Sequence, residues 1–440
     1  MLVAETTTQS TARSTLLPMV IIGILFFIFG FVTWLNGSLI PFLRIVCELN
    51  EFQALFVTFA FYIAYTCLAI PAAQVLKISG YKNGMVIGLL IMAVGALVFI
   101  PAAKAQNYGI FLAALFLLGS GLTLLQTAAN PYIVCIGPRE SAAMRISIMG
   151  LVNKGAGVVV PLAFTSLMLH GIDQFTPEVL QSLDEAARQQ QLAELASRLV
   201  VPYVCMAVVL IGLSGFVKFS SLSEPVLDDA PEEKTVANRW GILQHPQIIL
   251  GAIALFFYVG VEVIAGDTIG LYGQGLGVSH YGSLTSYTMS FMVIGYLMGV
   301  AFIPNKLSQE KALLASALLG IVFVLGVMFA SNESTLIADV LFGWAGIPVV
   351  PNTVMFLAML GFANALVWPA IWPLALQDLG KYTATGSALL IMGIAGGALL
   401  PLAYGHFASG GNSQTAYWIM IPCYAFILFY ALKGHKLRRW

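Results

Sequence analysis

Apolar residues dominate this chain in long runs rather than in the alternating or 3.6-residue patterns of half-buried elements. Long apolar stretches of 18 or more residues recur from end to end, joined by short polar segments. A run of that length predicts a helix that crosses a bilayer. The pattern predicts twelve such helices, near 17–46, 53–76, 84–104, 108–136, 141–169, 200–221, 247–275, 282–305, 311–331, 353–377, 384–408 and 416–434. Several exceed the roughly 20 residues that a bilayer needs, so tilt or breaks are expected. Segments 1, 4, 7 and 10 carry internal Gly, Pro, Asn or Gln, as expected of helices facing a cavity, where irregular backbone is tolerated. In segment 7 the spacing of Gly260, Gly266 and Gly270 predicts a bend or break.

Composition agrees with this reading. Hydrophobic residues make up 59% of the 440 and charged ones only 9%, against roughly 25% charged in soluble domains. Net charge is zero, which gives no sign of a nucleic-acid partner. The five cysteines are odd in number, mostly sit in apolar runs and form no CxxC pair, so neither a disulfide framework nor a zinc site is indicated.

Lysine and arginine set the orientation. With the N-terminus in the cytosol, 15 of the 20 fall in inner loops and tails, and Arg44, Lys104, Arg188 and Arg198 are the four outside. The positive-inside rule then places both termini in the cytosol of a multi-pass inner-membrane protein. The expected organisation is a cytosolic tail (1–16), a six-helix half (17–221), a cytosolic linker (222–246), a second six-helix half (247–434) and a short cytosolic tail (435–440). The N-terminal tail reads as polar rather than as a cleaved signal peptide. The outer stretch 170–199 reads either as a short amphipathic surface helix or as a solvated loop. "IGPRESAAMRISIMG" (136–150) and "LGKYTATGSALLIMG" (379–393) share length, an early Gly and a closing Ile-Met-Gly, as related halves would.

One cation, Lys154, is left over, and with Glu262 and Asp267 it makes three ionisable groups inside spans. An unpaired charge at mid-bilayer costs at least about 2.5–3.5 kcal/mol. Lys154 lies about 18 Å into its helix at 1.5 Å per residue, too deep for full snorkelling. It is either part of a solute site or a structural ion pair. Glu262 lies past the middle of segment 7 towards the outside. Asp267, five residues on, belongs either to the site or to a wetted outer mouth. Buried amides form a second set: Asn36, Gln126, Asn130, Asn153, Asn364 and Gln377. Amides both donate and accept hydrogen bonds without the cost of a charge, which suits a ligand rich in hydroxyls. Trp34, Tyr65, Trp368 and Trp372 are aromatic planes on which an apolar ring face could stack. The alternative for these residues is interhelical hydrogen bonding or plain packing. No HExxH, Walker loop or GxSxG is present. "GQGLGV" (273–278) lacks a following βα unit, and the sequon at Asn36 lies within a span.

"GFVTWLNGSLIP" in segment 1, "QTAANPYIVCIGP" closing segment 4, "ESAAMRISIMGLVNKGAG" entering segment 5 and "FFYVGVEV" in segment 7 resemble the fucose–galactose–glucose–hexose symporter family of the major facilitator superfamily, over nearly the whole chain. The resemblance implies an all-α membrane fold of two pseudo-symmetric six-helix halves. It also implies alternating access to a hexose site between the halves, coupled to H⁺ or Na⁺, with no other cofactor. The fucose permease branch has an acid just after the segment 1 asparagine and another just before "TAANP". Here these positions are Gly37 and Gln126, so proton coupling through those two acids is not expected. Glucose, galactose or a related hexose, N-acetylglucosamine included, is expected instead. On this reading Asn36, Gln126, Asn130, Asn153 and Asn364 bind sugar hydroxyls and Trp368 or Trp34 packs on the ring. Lys154 is held by Glu262, for which H⁺, or Na⁺ beside it, competes. The rivals are an uncoupled facilitator in which Lys154 replaces the cation, and a membrane sugar sensor. A sensor is expected to add a soluble signalling domain, for which the sequence leaves no room. An intramembrane enzyme needs a convergent catalytic set, which the three charges do not supply. A single chain is expected to suffice.

Overall fold

The computed structural model describes residues 2–136, 142–168, 179, 182–222, 224, 241–303, 307–379 and 382–440. Among them, twelve helices are long and apolar enough to cross a membrane. They are spans 1 (Leu16–Val46), 2 (Glu51–Ser79), 3 (Tyr81–Ala105), 4 (Tyr108–Asn130), 5 (Arg145–Met168) and 6 (Glu185–Phe219). Spans 7 (Pro246–Gly275), 8 (Tyr281–Phe302), 9 (Gln309–Phe329), 10 (Asn352–Leu376), 11 (Thr385–Ala408) and 12 (Ser413–Lys436) follow. Apolar side chains such as Val208, Phe219, Leu297 and Phe329 stand exposed on the outside, where lipid rather than water satisfies them.

Successive spans run antiparallel, so an even number brings both chain ends to one side, here the terminal end; the opposite side is the far end. The packing repeats with an offset of six. Span 1 packs on 5, 2 on 4, 3 on 4 and 3 on 6; span 7 packs on 11, 8 on 10, 9 on 10 and 9 on 12. The halves meet through spans 1 and 7, and through the related pairs 5 with 8 and 2 with 11.

The far ends of the halves are closed on each other. Arg44 of span 1 donates to Gln274 of span 7 (3.4 Å), Ser413 of span 12 donates to Glu51 of span 2 (2.8 Å), and Ser38 donates to the Gly282 carbonyl. Phe52 meets His406 edge-on at 6.2 Å between ring centres. At the terminal end, polar ties run within each half. Lys82 donates to the Ser220 carbonyl (2.7 Å) and Lys218 to Asn83 (2.7 Å), while Glu310 pairs with His435 and Lys436 and Arg438 with Asp378.

Several expectations are corrected. Span 7 does not break at its glycines: Pro246–Gly275 is one continuous helix. Its glycines admit neighbours instead, with Leu400 over Gly260, the Trp34 ring over Gly266 and the Gly37 carbonyl against Gly270. Spans 1 and 4 are also continuous. Span 10 does break, into Asn352–Asn364 and Val367–Leu376. Spans 11 and 12 are interrupted by single 3₁₀ turns at Gly393–Ala395 and Tyr417–Ile419. The helix of span 1 extends back to Leu2, into the stretch expected to be a tail. Part of the outer stretch forms a helix, Glu185–Ser197, capped by Asp184 and packed on spans 1 and 3. Most of the expected linker 222–246, and the motif positions 137–141, lie outside the described residues.

Candidate functional site

Nine residues into span 5, the Lys154 ammonium donates to Glu262 Oε1 of span 7 at 2.6 Å. The two side chains are 11% and 10% exposed. The pair joins the N-terminal half to the C-terminal half near the middle of both helices. A lone ammonium or carboxylate at this depth would cost several kcal/mol in lost hydration, and the partner at contact distance offsets it.

Trp34 completes the environment of the ammonium. Lys154 Nζ sits 4.4 Å from the Trp34 ring centre, where the negative face of the ring attracts a cation. Trp34 Nε1 donates to Asn153 Oδ1 (3.3 Å), and Asn153 Nδ2 donates to the Phe26 carbonyl (3.4 Å). A Cβ at Gly157 would come within 2.7 Å of the Trp34 ring and one at Gly266 within 2.6 Å. The ring therefore lies between two helices that carry no side chain at these points. It is 2% exposed and packs with Met289, Met292 and Tyr296. In this conformation the Trp34 ring is buried and one face of it holds Lys154.

Several of the remaining candidates are held by partners of their own. Trp368 stacks on Trp372 (5.3 Å, 21°) and leans on Tyr258, both tryptophans half-buried. Tyr65 stacks on Tyr62 at 6.2 Å. Asn364, at the break in span 10, accepts from the Tyr424 hydroxyl at 2.8 Å; its Nδ2 is buried without a protein partner, as is Asn36 Nδ2. Gln126 is half-buried, whereas Asn130 and Gln377 are exposed. Asp267 is not at a wetted mouth. It is 0% exposed, and its Oδ2 accepts from Thr58 of span 2 at 3.0 Å. Among the described residues no group of three His, Cys, Asp or Glu could hold a metal ion. Two apolar surface concavities, one along spans 5 and 6 and one between these and span 1, share none of these residues.

Sequence reasoning passed over Thr58 and Tyr424, because a lone hydroxyl in a span carries no signal until its partner is known. It also left Gly37 as a missing acid. A Cβ there would meet the Thr285 hydroxyl and come within 2.8 Å of the Gly266 carbonyl. Spans 1 and 7 meet at this point through backbone, with the Thr285 side chain of span 8 beside them, and no side chain fits at Gly37 while the far end is closed.

The sequence model of the Major Facilitator Superfamily matches residues 22–401. The chain belongs to the Major Facilitator Superfamily. Within this superfamily it is 32% identical to the glucose/galactose transporter of Brucella abortus over 94% of this chain and 93% of that one. It is 28% identical to the L-fucose-proton symporter of Escherichia coli over 96% and 93%. The crystal structure of the superfamily member FucP in the outward conformation superposes with a TM-score of 0.72 at 25% identity, covering 95% of this chain and 99% of that one. The superfamily fold and the kinship to sugar transporters account for twelve spans with repeated pairings.

Proposed function

We propose that this chain is a secondary active transporter that moves a hexose of the glucose or galactose type across the cytoplasmic membrane by alternating access. The observation that carries the reading is the buried Lys154–Glu262 pair, which ties the two halves near mid-membrane. A cation on or beside Glu262, H⁺ or Na⁺, competes with the ammonium, loosens the tie and lets the halves rock. The ammonium keeps the carboxylate neutralised between cations. Asn153, Asn364 and Asn36 bind sugar hydroxyls in this scheme, with Gln126 and Asn130 on span 4 and the ring of Trp368 contributing from the terminal side. N-acetylglucosamine is the runner-up solute. The bias of Lys and Arg to the terminal end supports a cytosolic location for both termini, and with it a structure whose closed far end faces the outside. Nothing in the arrangement of the three charges suits an enzyme or a sensor.

The same pair also favours a second reading. One oxygen of the Glu262 carboxylate is already filled by an ammonium, and a permanently filled site makes a facilitator. Uptake of a panel of labelled hexoses into proteoliposomes, under separately imposed Na⁺ and pH gradients, decides between them. Accumulation driven by one gradient is expected. Counterflow without accumulation under either gradient would establish the facilitator, and binding without translocation would remove the transport reading.

A further inference from the structure

Asp267 has none of the compensation that Glu262 enjoys. It sits about 12 Å from the far end of span 7 at 1.5 Å per residue, fully buried. One oxygen accepts from Thr58; the other has no hydrogen-bond partner. Thr58 belongs to the opposite half, so this contact exists only while the far ends are together.

The charges that could answer Asp267 are accounted for. On its own helix the neighbour is Glu262, of the same sign, whose cation is Lys154. From span 2, Tyr62 lies within electrostatic reach of both carboxyls. From span 12, the Tyr417 hydroxyl is engaged with Thr268 at 2.9 Å. Spans 8 and 10 contain no Asp, Glu, Lys, Arg or His. Span 8 offers the hydroxyls of Thr285 and Thr288, which donate to the Gly266 and Ala265 carbonyls. Arg44 of span 1 is taken by Gln274 and Glu51, and His406 of span 11 is exposed at the far rim. Two carboxyls therefore share one cation in a buried region. An ionised carboxylate without a counter-charge costs far more there than a neutral acid.

From this geometry we infer that Asp267 is a proton-dependent latch of the far gate: the far ends close only when its carboxyl has taken a proton from the water on that side. Closure brings Thr58 onto the neutral acid. Parting of the halves removes Thr58, admits water and releases the proton to the same water. This deepens the alternating-access reading and rests on it. It concerns a different residue from the Lys154–Glu262 tie.

The sign follows from proton counting. The far-closed state binds one proton more than the far-open state, so acid favours closure, by up to about ten-fold in the closed-to-open ratio per pH unit. The test is a distance distribution between spin labels at the exposed far-end positions Lys104 and Glu333, in nanodiscs without sugar and in Na⁺-free buffer. Exposed Cys67 and Cys205 are replaced by Ser. The closed population of the parent is expected to rise as pH falls. Asp267→Asn, which keeps the shape without the charge, is expected to be closed at every pH; His406→Gln is expected to leave the pH response intact. Thr58→Val is expected to lower the closed population at all pH values while keeping the response. A parent insensitive to pH, a response that survives Asp267→Asn, or one abolished by His406→Gln would each overturn the latch. So would Na⁺ closing the far end at fixed pH as acid does. The readout needs neither sugar nor gradient, so its failure leaves the choice between symporter and facilitator untouched.

Discussion

Lys154 of span 5 and Glu262 of span 7 meet at 2.6 Å with about a tenth of each side chain exposed, and they come from opposite halves. The pair is a structural tie whose rupture must accompany any movement of the halves at this depth. Its energetic content lies less in what it adds than in what breaking it exposes. Removing one partner of a buried pair leaves an uncompensated charge, a loss of about 3–5 kcal/mol.

Lys154→Ala and Glu262→Gln are each expected to abolish concentrative uptake, and Lys154→Ala to lower thermal stability in detergent. Pairing Lys154→Ala with Glu262→Gln should recover part of that stability, because no charge is then left alone. A double-mutant cycle on the melting midpoint gives the coupling. Strict additivity of the two single losses would show that the ion pair does not act as a unit, and wild-type accumulation in both single variants would remove it from the mechanism.

Trp34 contributes a ring face to the ammonium and an N–H to Asn153. Trp34→Phe keeps a face and loses the donor, whereas Trp34→Leu loses both. A desolvated cation–ring contact is worth about 2 kcal/mol, so Trp34→Leu should be the more damaging to melting temperature and uptake. The ranking should vanish in a Lys154→Ala background. Equal effects in both backgrounds would mean that the ring acts by packing alone.

Tyr424 fixes the amide of Asn364 by donating to its oxygen at 2.8 Å. Tyr424→Phe should cost about 1–3 kcal/mol, the penalty for a buried polar group left unpaired. Combining Tyr424→Phe with Asn364→Leu should restore stability, since both polar groups then go. If Asn364 serves the sugar, the restored double variant remains inactive in uptake. A stable double variant with normal uptake would assign Asn364 to helix packing.

The twelve spans were legible because a run of twenty apolar residues has few alternatives in structure. The symmetric pairings had only the weak echo of 136–150 in 379–393. Lys154 with Glu262 was legible for a reason of charge: a buried ammonium demands an acid, and the sequence provides few. Asp267 was harder to place, because depth along a helix does not reveal whether its end is wet. Span 7 shows no break at its glycines. Glycine in a long apolar helix signals either a break or a close approach, and only the neighbours, here Trp34, Gly37 and Leu400, decide which. Trp34 was read as a ring for the solute because its residue type is the same in both roles. The ammonium across its face is a contact that residue type alone does not reveal.

Gly37 gives the sharpest steric prediction. The far ends close with the backbones of spans 1 and 7 nearly touching, and a Cβ at Gly37 would sit 2.8 Å from the Gly266 carbonyl. A backbone oxygen cannot rotate away, so the strain must be relieved by parting the helices. Gly37→Ala should disfavour the far-closed state by about 1–3 kcal/mol, the usual cost of overpacking, and Gly37→Asp by more. Uptake should fall accordingly, by roughly five-fold to over a hundred-fold in the alanine variant, while solute binding from the far side persists. Spin-label distances between Lys104 and Glu333 positions should shift to the longer, open population in both variants. A short, closed distribution in Gly37→Asp would mean that the acid is accommodated after all. The glycine would then owe its place to something other than the closeness of the two helices.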